Sequence, residues 1–204
     1  MNVSSKPGFF GAIVDSQSYL NIIYLLLALP LGIFYFAFLV TGLSLGFGLF
    51  ITLAGIPILL FVLAGSLILS RLERILAVKL LRVEIPAPQK RAVSQGLWSR
   101  SKALLSDGLV WKGTLYLLSK FPIGIATFTL AVTLLAVSIG LVFAPAYMWI
   151  GDPLVWGDLV LKPYPWAWIL TAVGIPLVFV SLRLLNTTAA GLGSMARSML
   201  GKVN

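Results

Sequence analysis

No charged side chain occurs between Asp15 and Arg71. A bilayer-crossing helix needs about 20 consecutive apolar residues. The stretch is therefore long enough for two such helices and a turn, and a water-soluble core has no use for so long an uncharged run. Phe121 to Gly151 and Pro163 to Leu182 are uncharged as well. Four spans are expected, near 20–42, 48–70, 116–143 and 167–186. Hydrophobic residues make up 59% of the chain and charged residues 10%, against roughly 25% charged in a soluble domain. The expected fold class is an all-α membrane protein with four transmembrane helices. The leader has a single Lys6 and no small-residue cleavage site, so it does not read as a cleaved signal peptide.

The chain also reads as one unit written twice. Asp15, Tyr19, Tyr24-Leu25-Leu26, Pro30, Gly32 and Phe36 recur 92 positions later as Asp107, Trp111, Tyr116-Leu117-Leu118, Pro122, Gly124 and Phe128. Gly55-Ile56-Pro57 recurs 119 positions later as Gly174-Ile175-Pro176. The expected organisation is a single membrane domain, 1–204, of two tandem helical hairpins. Repeat one covers 15–82, a cytoplasmic connector 83–106, and repeat two 107–204 with an outer loop at 144–166. Proline within a helix frees a carbonyl and bends the chain, and glycine lets a neighbouring backbone approach. Pro30, Gly32, Gly55, Pro57, Pro122, Gly124, Gly174 and Pro176 are thus candidate hinge or helix-joint residues. Asp15 and Asp107 are expected to cap the helices that follow them.

The net charge of +9 is explained by where the charges fall. Nearly all Lys and Arg, Lys112 and Lys120 among them, lie in the leader, the middle segment and the C-terminal segment. By the positive-inside rule both termini and residues 71–115 are cytoplasmic in an inner membrane, with the two hairpins in the same orientation. Arg71 to Arg82 keeps helical periodicity, with Leu72, Ile75, Leu76 and Leu80 expected to form one apolar side. Amphipathic interfacial helices are expected there, at 92–106 and in the C-terminal segment, and Phe9, Phe10, Ile13 and Val14 are placed at the bilayer surface. Arg71, Arg74, Lys79, Arg82, Trp98, Arg100 and Lys102 form a candidate face for anionic lipid headgroups or a protein partner. The location of the charge gives no reason to expect nucleic acid.

Little in the sequence points to catalysis. Without histidine or cysteine there is no thiol chemistry, no disulfide and no common transition-metal ligand set, and no cofactor is expected. Asp152 and Asp158 share one loop but read as solvated turn residues. No charged residue is expected deep in a span, which argues against ion or proton transport. The 144–166 loop gathers Tyr147, Trp149, Trp156, Tyr164 and Trp166, a candidate outer binding face for an apolar or cationic ligand. Residues 155–161 are expected to form a small strand pair around Gly157-Asp158.

Tyr24-Leu25-Leu26 with Pro30 and Gly32, Gly55-Ile56-Pro57, Leu72-Glu73-Arg74 and Trp111 to Gly124 together resemble the putative sensor domain of bacteria and archaea. In that family a four-span module precedes a histidine kinase or stands alone. The resemblance implies signal reception without enzymatic activity. These 204 residues carry no phosphoacceptor histidine, so output is expected to pass through a membrane or cytoplasmic partner or the lipid, with self-association possible. The alternatives are an accessory subunit of a membrane complex, such as a transporter, and a lipid- or small-molecule-binding transport protein.

Overall fold

The computed structural model describes residues 15–52, 54–85, 106, 108–149, 154–156, 159–161 and 166–201. Four long helices dominate: α1 (Ser16–Gly48), α2 (Gly55–Leu81), α3 (Gly108–Val142) and, after the short α4 (Ala144–Trp149), α5 (Trp166–Leu200). All four are long and apolar enough to cross a membrane. Their lengths of 27 to 35 residues correspond to about 40–52 Å at roughly 1.5 Å per residue, more than the ~30 Å hydrocarbon core requires.

Local chemistry sets the ends. Asp15 is extended (φ −76°, ψ 114°) and its Oδ1 accepts from the Gln17 amide at 3.0 Å, the expected cap of α1; Asp107 lies outside the described residues. α2 ends where Arg82 turns left-handed at φ 51°. The strand pair forms as expected, with β1 (Leu154–Trp156) antiparallel to β2 (Leu159–Leu161) and Val155 opposite Val160.

Several boundaries differ from expectation. The glycine-rich stretch from Gly42 to Gly48 is not a turn, because α1 runs through it to Gly48 and the chain reverses over Leu49–Ala54. A Cβ on Gly46 would lie 2.5 Å from the Leu59 side chain, and Gly42 faces Val62. These glycines let α2 lie close against α1. Pro57 is not mid-span either. It lies in the first turn of α2, where a missing N–H goes unnoticed, whereas Pro30, Pro122 and Pro176 lie inside uninterrupted helices. The C-terminal segment continues α5 and packs Met195, Ala196, Met199 and Leu200 against the bundle core.

The two hairpins run in opposite directions, which corrects the expectation of a shared orientation. Ascending α1, its neighbours on the second hairpin descend α3. Leu25 shares a core cluster with Ala131, Ala28 meets Gly124, Gly32 meets Lys120, and Leu43 and Phe47 line one cavity with Trp111. The Thr114 and Ser66 hydroxyls, 3.1 Å apart, agree with this order. The α1–α2 turn and the α3–α5 turn therefore lie at opposite ends of the bundle, which corrects the expectation that both are outer: the second hairpin turns at the end where α1 begins. Lys112 and Arg183, assigned to one compartment by charge alone, lie toward opposite ends as well. Lys112 adjoins the turn of the first hairpin through Trp111. Arg183 lies one turn before Asn186, which donates to Ser18 in the first turn of α1 at 2.9 Å. A repeat in sequence records which residues recur and leaves the relative direction of the two copies open.

The joint itself is close-packed. A Cβ on Gly32 would lie 2.9 Å from the Lys120 carbonyl oxygen, and one on Gly124 would lie 2.7 Å from that of Ala28. The two contacts interchange under the 92-position offset. Gly55 abuts Leu49 and Phe50 as Gly174 abuts Leu141 and Val142, and the same offset relates those partners.

Candidate functional site

Where α1, α2 and α3 meet, the bundle encloses five polar side chains. Tyr24 and Tyr35 are eleven residues apart on α1, about three helical turns, and so share a face. Tyr116 and Lys120 are neighbours at i, i+4 on α3. Glu73 belongs to the inward side of α2 with Ser66 and Ala77. Glu73 is 0% exposed and Lys120 2%.

The network is nearly closed. The Lys120 ammonium donates to Glu73 Oε1 and, at 2.6 Å, to the Tyr24 hydroxyl. Tyr24 in turn donates to Glu73 Oε1 at 2.6 Å, Tyr35 to Oε2 at 3.2 Å and, more weakly, Tyr116 to Oε1 at 3.4 Å. The ammonium lies 4.2 Å from the centre of the Tyr24 ring and 5.9 Å from that of Tyr116. Both carboxylate oxygens are thus satisfied, and the cation has oxygen and aromatic partners. A buried charge survives only on such terms.

This cluster overturns the expectation that no charge is buried between the halves. By sequence, Lys120 belongs with the basic exposed residues and Glu73 with an interfacial helix. In the structure Glu73 and Ala77 turn inward, while Leu72 and Ile75 face outward at 42% and 49% exposure. The repeat held a usable signal. Tyr24 and Tyr116 recur inside apolar helices, and a buried phenol needs a polar partner. The offset that pairs the tyrosines matches Lys120 with Ala28 and, at 119 positions, Glu73 with Leu192. The ion pair thus occupies one of two related positions.

A second polar chain joins α1, α2 and α5. Gln17 Nε2 donates to the Leu80 carbonyl at 2.7 Å and to Asn21 at 2.8 Å, Asn21 donates to Asn186 at 2.9 Å, and Asn186 donates to Ser18. Asn21 and Asn186 fall at the ends of the expected spans 20–42 and 167–186, and their spacing in the sequence gives nothing to pair them.

The structure brings Gly32 and Gly124 together at the α1–α3 crossing and seats Gly55 and Gly174 against the ends of α1 and α3, whereas Pro30, Pro57, Pro122 and Pro176 are exposed. Arg71, Lys79 and Arg82 are exposed, and Arg74 Nη1 donates to the Ile85 carbonyl at 3.2 Å. Tyr147 is exposed; Trp149, Trp156 and Trp166 lie in α4, β1 and α5, their side chains outside those described. Tyr164, Trp98, Arg100, Lys102, Asp152, Asp158, the Phe9–Val14 segment and all but Ser106 of the helix expected at 92–106 lie outside the described residues. Among the described residues no group of acidic side chains is placed to hold a metal ion.

Four long apolar helices built around a buried ion pair define a multi-pass membrane protein. A family model described as Putative sensor matches residues 24–200, a span that contains all five residues of the cluster. The chain belongs to this family. No curated protein and no solved structure matches it.

Proposed function

We propose that the protein is a non-enzymatic sensor or regulatory module of the inner membrane, built from two copies of one hairpin that meet in opposite directions. The observation that carries this reading is the Glu73–Lys120 pair at their joint. Two charges inside an apolar bundle are tolerated only in arrangements that keep them together. The pair therefore distinguishes an engaged state of the hairpins from any other, and a ligand or bilayer state that binds one state better shifts the balance. The basic end of α2, packed on this core through Ala77 and Leu81, is the natural output to a cytoplasmic or membrane partner. Lys79, Arg82 and Arg183 gather at the end where α1 begins. The positive-inside rule favours the cytoplasm for that end, and anionic headgroups are its expected lipid contacts.

Cross-linking in native membranes followed by mass spectrometry tests this reading. A kinase or transcription regulator recovered in stoichiometric amount, with output altered by Lys120→Met, is expected. A permease or ATPase recovered at that ratio would instead make the chain an accessory subunit.

One observation favours a second reading. Hairpins of opposite direction with a charged site at their interface are the arrangement of many transporters. Uptake of a small charged solute by proteoliposomes, absent in Glu73→Gln, would favour transport over sensing.

A further inference from the structure

We infer that Glu73, Tyr24, Tyr35 and Tyr116 form a binding site for a small ammonium ion, and that Lys120 is its tethered occupant. A cation is recognised by a carboxylate and by the faces of electron-rich rings, and these four residues supply both. Glu73 accepts from the ammonium, the Tyr24 hydroxyl accepts a second of its protons, and the Tyr24 and Tyr116 rings flank it at 4.2 and 5.9 Å. Tyr35 holds the other carboxylate oxygen from the far side at 3.2 Å. The four come from α1, α2 and α3, whereas the cation comes from one side chain on α3. The related position of the first hairpin carries Ala28, so the hairpin unit does not itself require a lysine there.

The ligand class that follows is a primary amine or ammonium of about the size of the lysine head. Such a ligand would compete with Lys120 and free α3 from the carboxylate, which gives the sensor reading a chemical signal. The proposal rests on that reading only for its purpose; occupancy of the site is measurable without any signalling output.

The test uses the full chain in detergent or lipid. Lys120→Ala removes the tethered cation, and n-propylammonium chloride is titrated against its thermal unfolding, with sodium chloride at equal ionic strength and n-propanol as controls. A saturable rise of the melting midpoint with the amine alone is expected, and no rise in Lys120→Ala combined with Glu73→Gln. Equal rises with propanol, or a rise that persists without Glu73, would overturn the inference. Lys120→Met keeps the bulk of the stem and vacates only the position of Nζ, so it covers the case in which the alanine variant does not fold. There ammonium chloride should stabilise where sodium chloride does not, and equal effects of the two salts would likewise refute the site. Failure in both variants leaves the sensor reading intact, because partner recovery does not depend on a cation ligand.

Discussion

Glu73 and Lys120 are hydrogen-bonded to each other across α2 and α3, with side chains 0% and 3% exposed. The exchange of one partner for an apolar residue strands the other in a medium that cannot solvate it. Removal of one member of a buried pair destabilises by about 3–5 kcal/mol, whereas an apolar replacement of both is often neutral. Lys120→Met and Glu73→Leu should each lower stability by about that amount, and the double variant should recover most of it. Unfolding in detergent, analysed as a double-mutant cycle, measures the coupling. Additive losses would mean that the two charges do not depend on each other.

The tyrosines should not be equivalent. Tyr24 both donates to Glu73 and accepts from Lys120, each at 2.6 Å, whereas Tyr35 makes one longer bond at 3.2 Å. Hydrogen bonds to charged groups contribute about 1.5–3 kcal/mol. Tyr24→Phe removes two of them and should fall at or beyond the upper end of that range, with Tyr35→Phe near the lower end. The same unfolding assay ranks them, and a larger loss in Tyr35→Phe would contradict the network as drawn.

Span number, helix type, the Asp15 cap and the small strand pair were legible in the sequence because each depends on neighbours in the chain. Composition and periodicity report burial in lipid, and Asp15 reports a helix start. The cluster was not legible, because its meaning depends on partners 38 to 49 positions away from Glu73. Lys120 falls four residues into its expected span, where a charge rule that counts lysines by segment assigns it to water. The opposite direction of the hairpins was hidden for a related reason. Tyr24 and Tyr116 recur in either arrangement, and the order of contacts along α1 and α3, Leu25 with Ala131, Ala28 with Gly124 and Gly32 with Lys120, distinguishes the two.

That direction is open to direct test, helped by the absence of native cysteine. Leu25 and Ala131 belong to one buried cluster, whereas Leu117 packs in another with Tyr35 and Val62. In hairpins of the same direction, Leu25 would instead face Leu117, its counterpart at the 92-position offset. Leu25→Cys with Ala131→Cys should form an intramolecular disulfide on mild oxidation, and Leu25→Cys with Leu117→Cys should not. The reverse outcome on non-reducing gels would mean that the halves share one orientation.

Gly124 is the tightest point of the joint on the α3 side, since a Cβ there would lie 2.7 Å from the Ala28 carbonyl oxygen and 3.0 Å from its carbon. Both are backbone atoms of a helix, so neither can swing aside, and α1 and α3 would have to separate. Separation there also pulls Lys120, one turn away, from the Tyr24 hydroxyl on α1, which it meets at 2.6 Å. Gly124→Val should therefore lose at least the 1–3 kcal/mol typical of overpacking, and part of that loss should vanish in a background that already lacks the ion pair. Gly140 is the control. A Cβ there meets nothing within 4 Å, so Gly140→Ala should be neutral or stabilising by about 0.4–1 kcal/mol through the unfolded chain. If the two substitutions shifted the melting midpoint alike, the close approach of α1 and α3 at Gly124 would not be what holds the hairpins together.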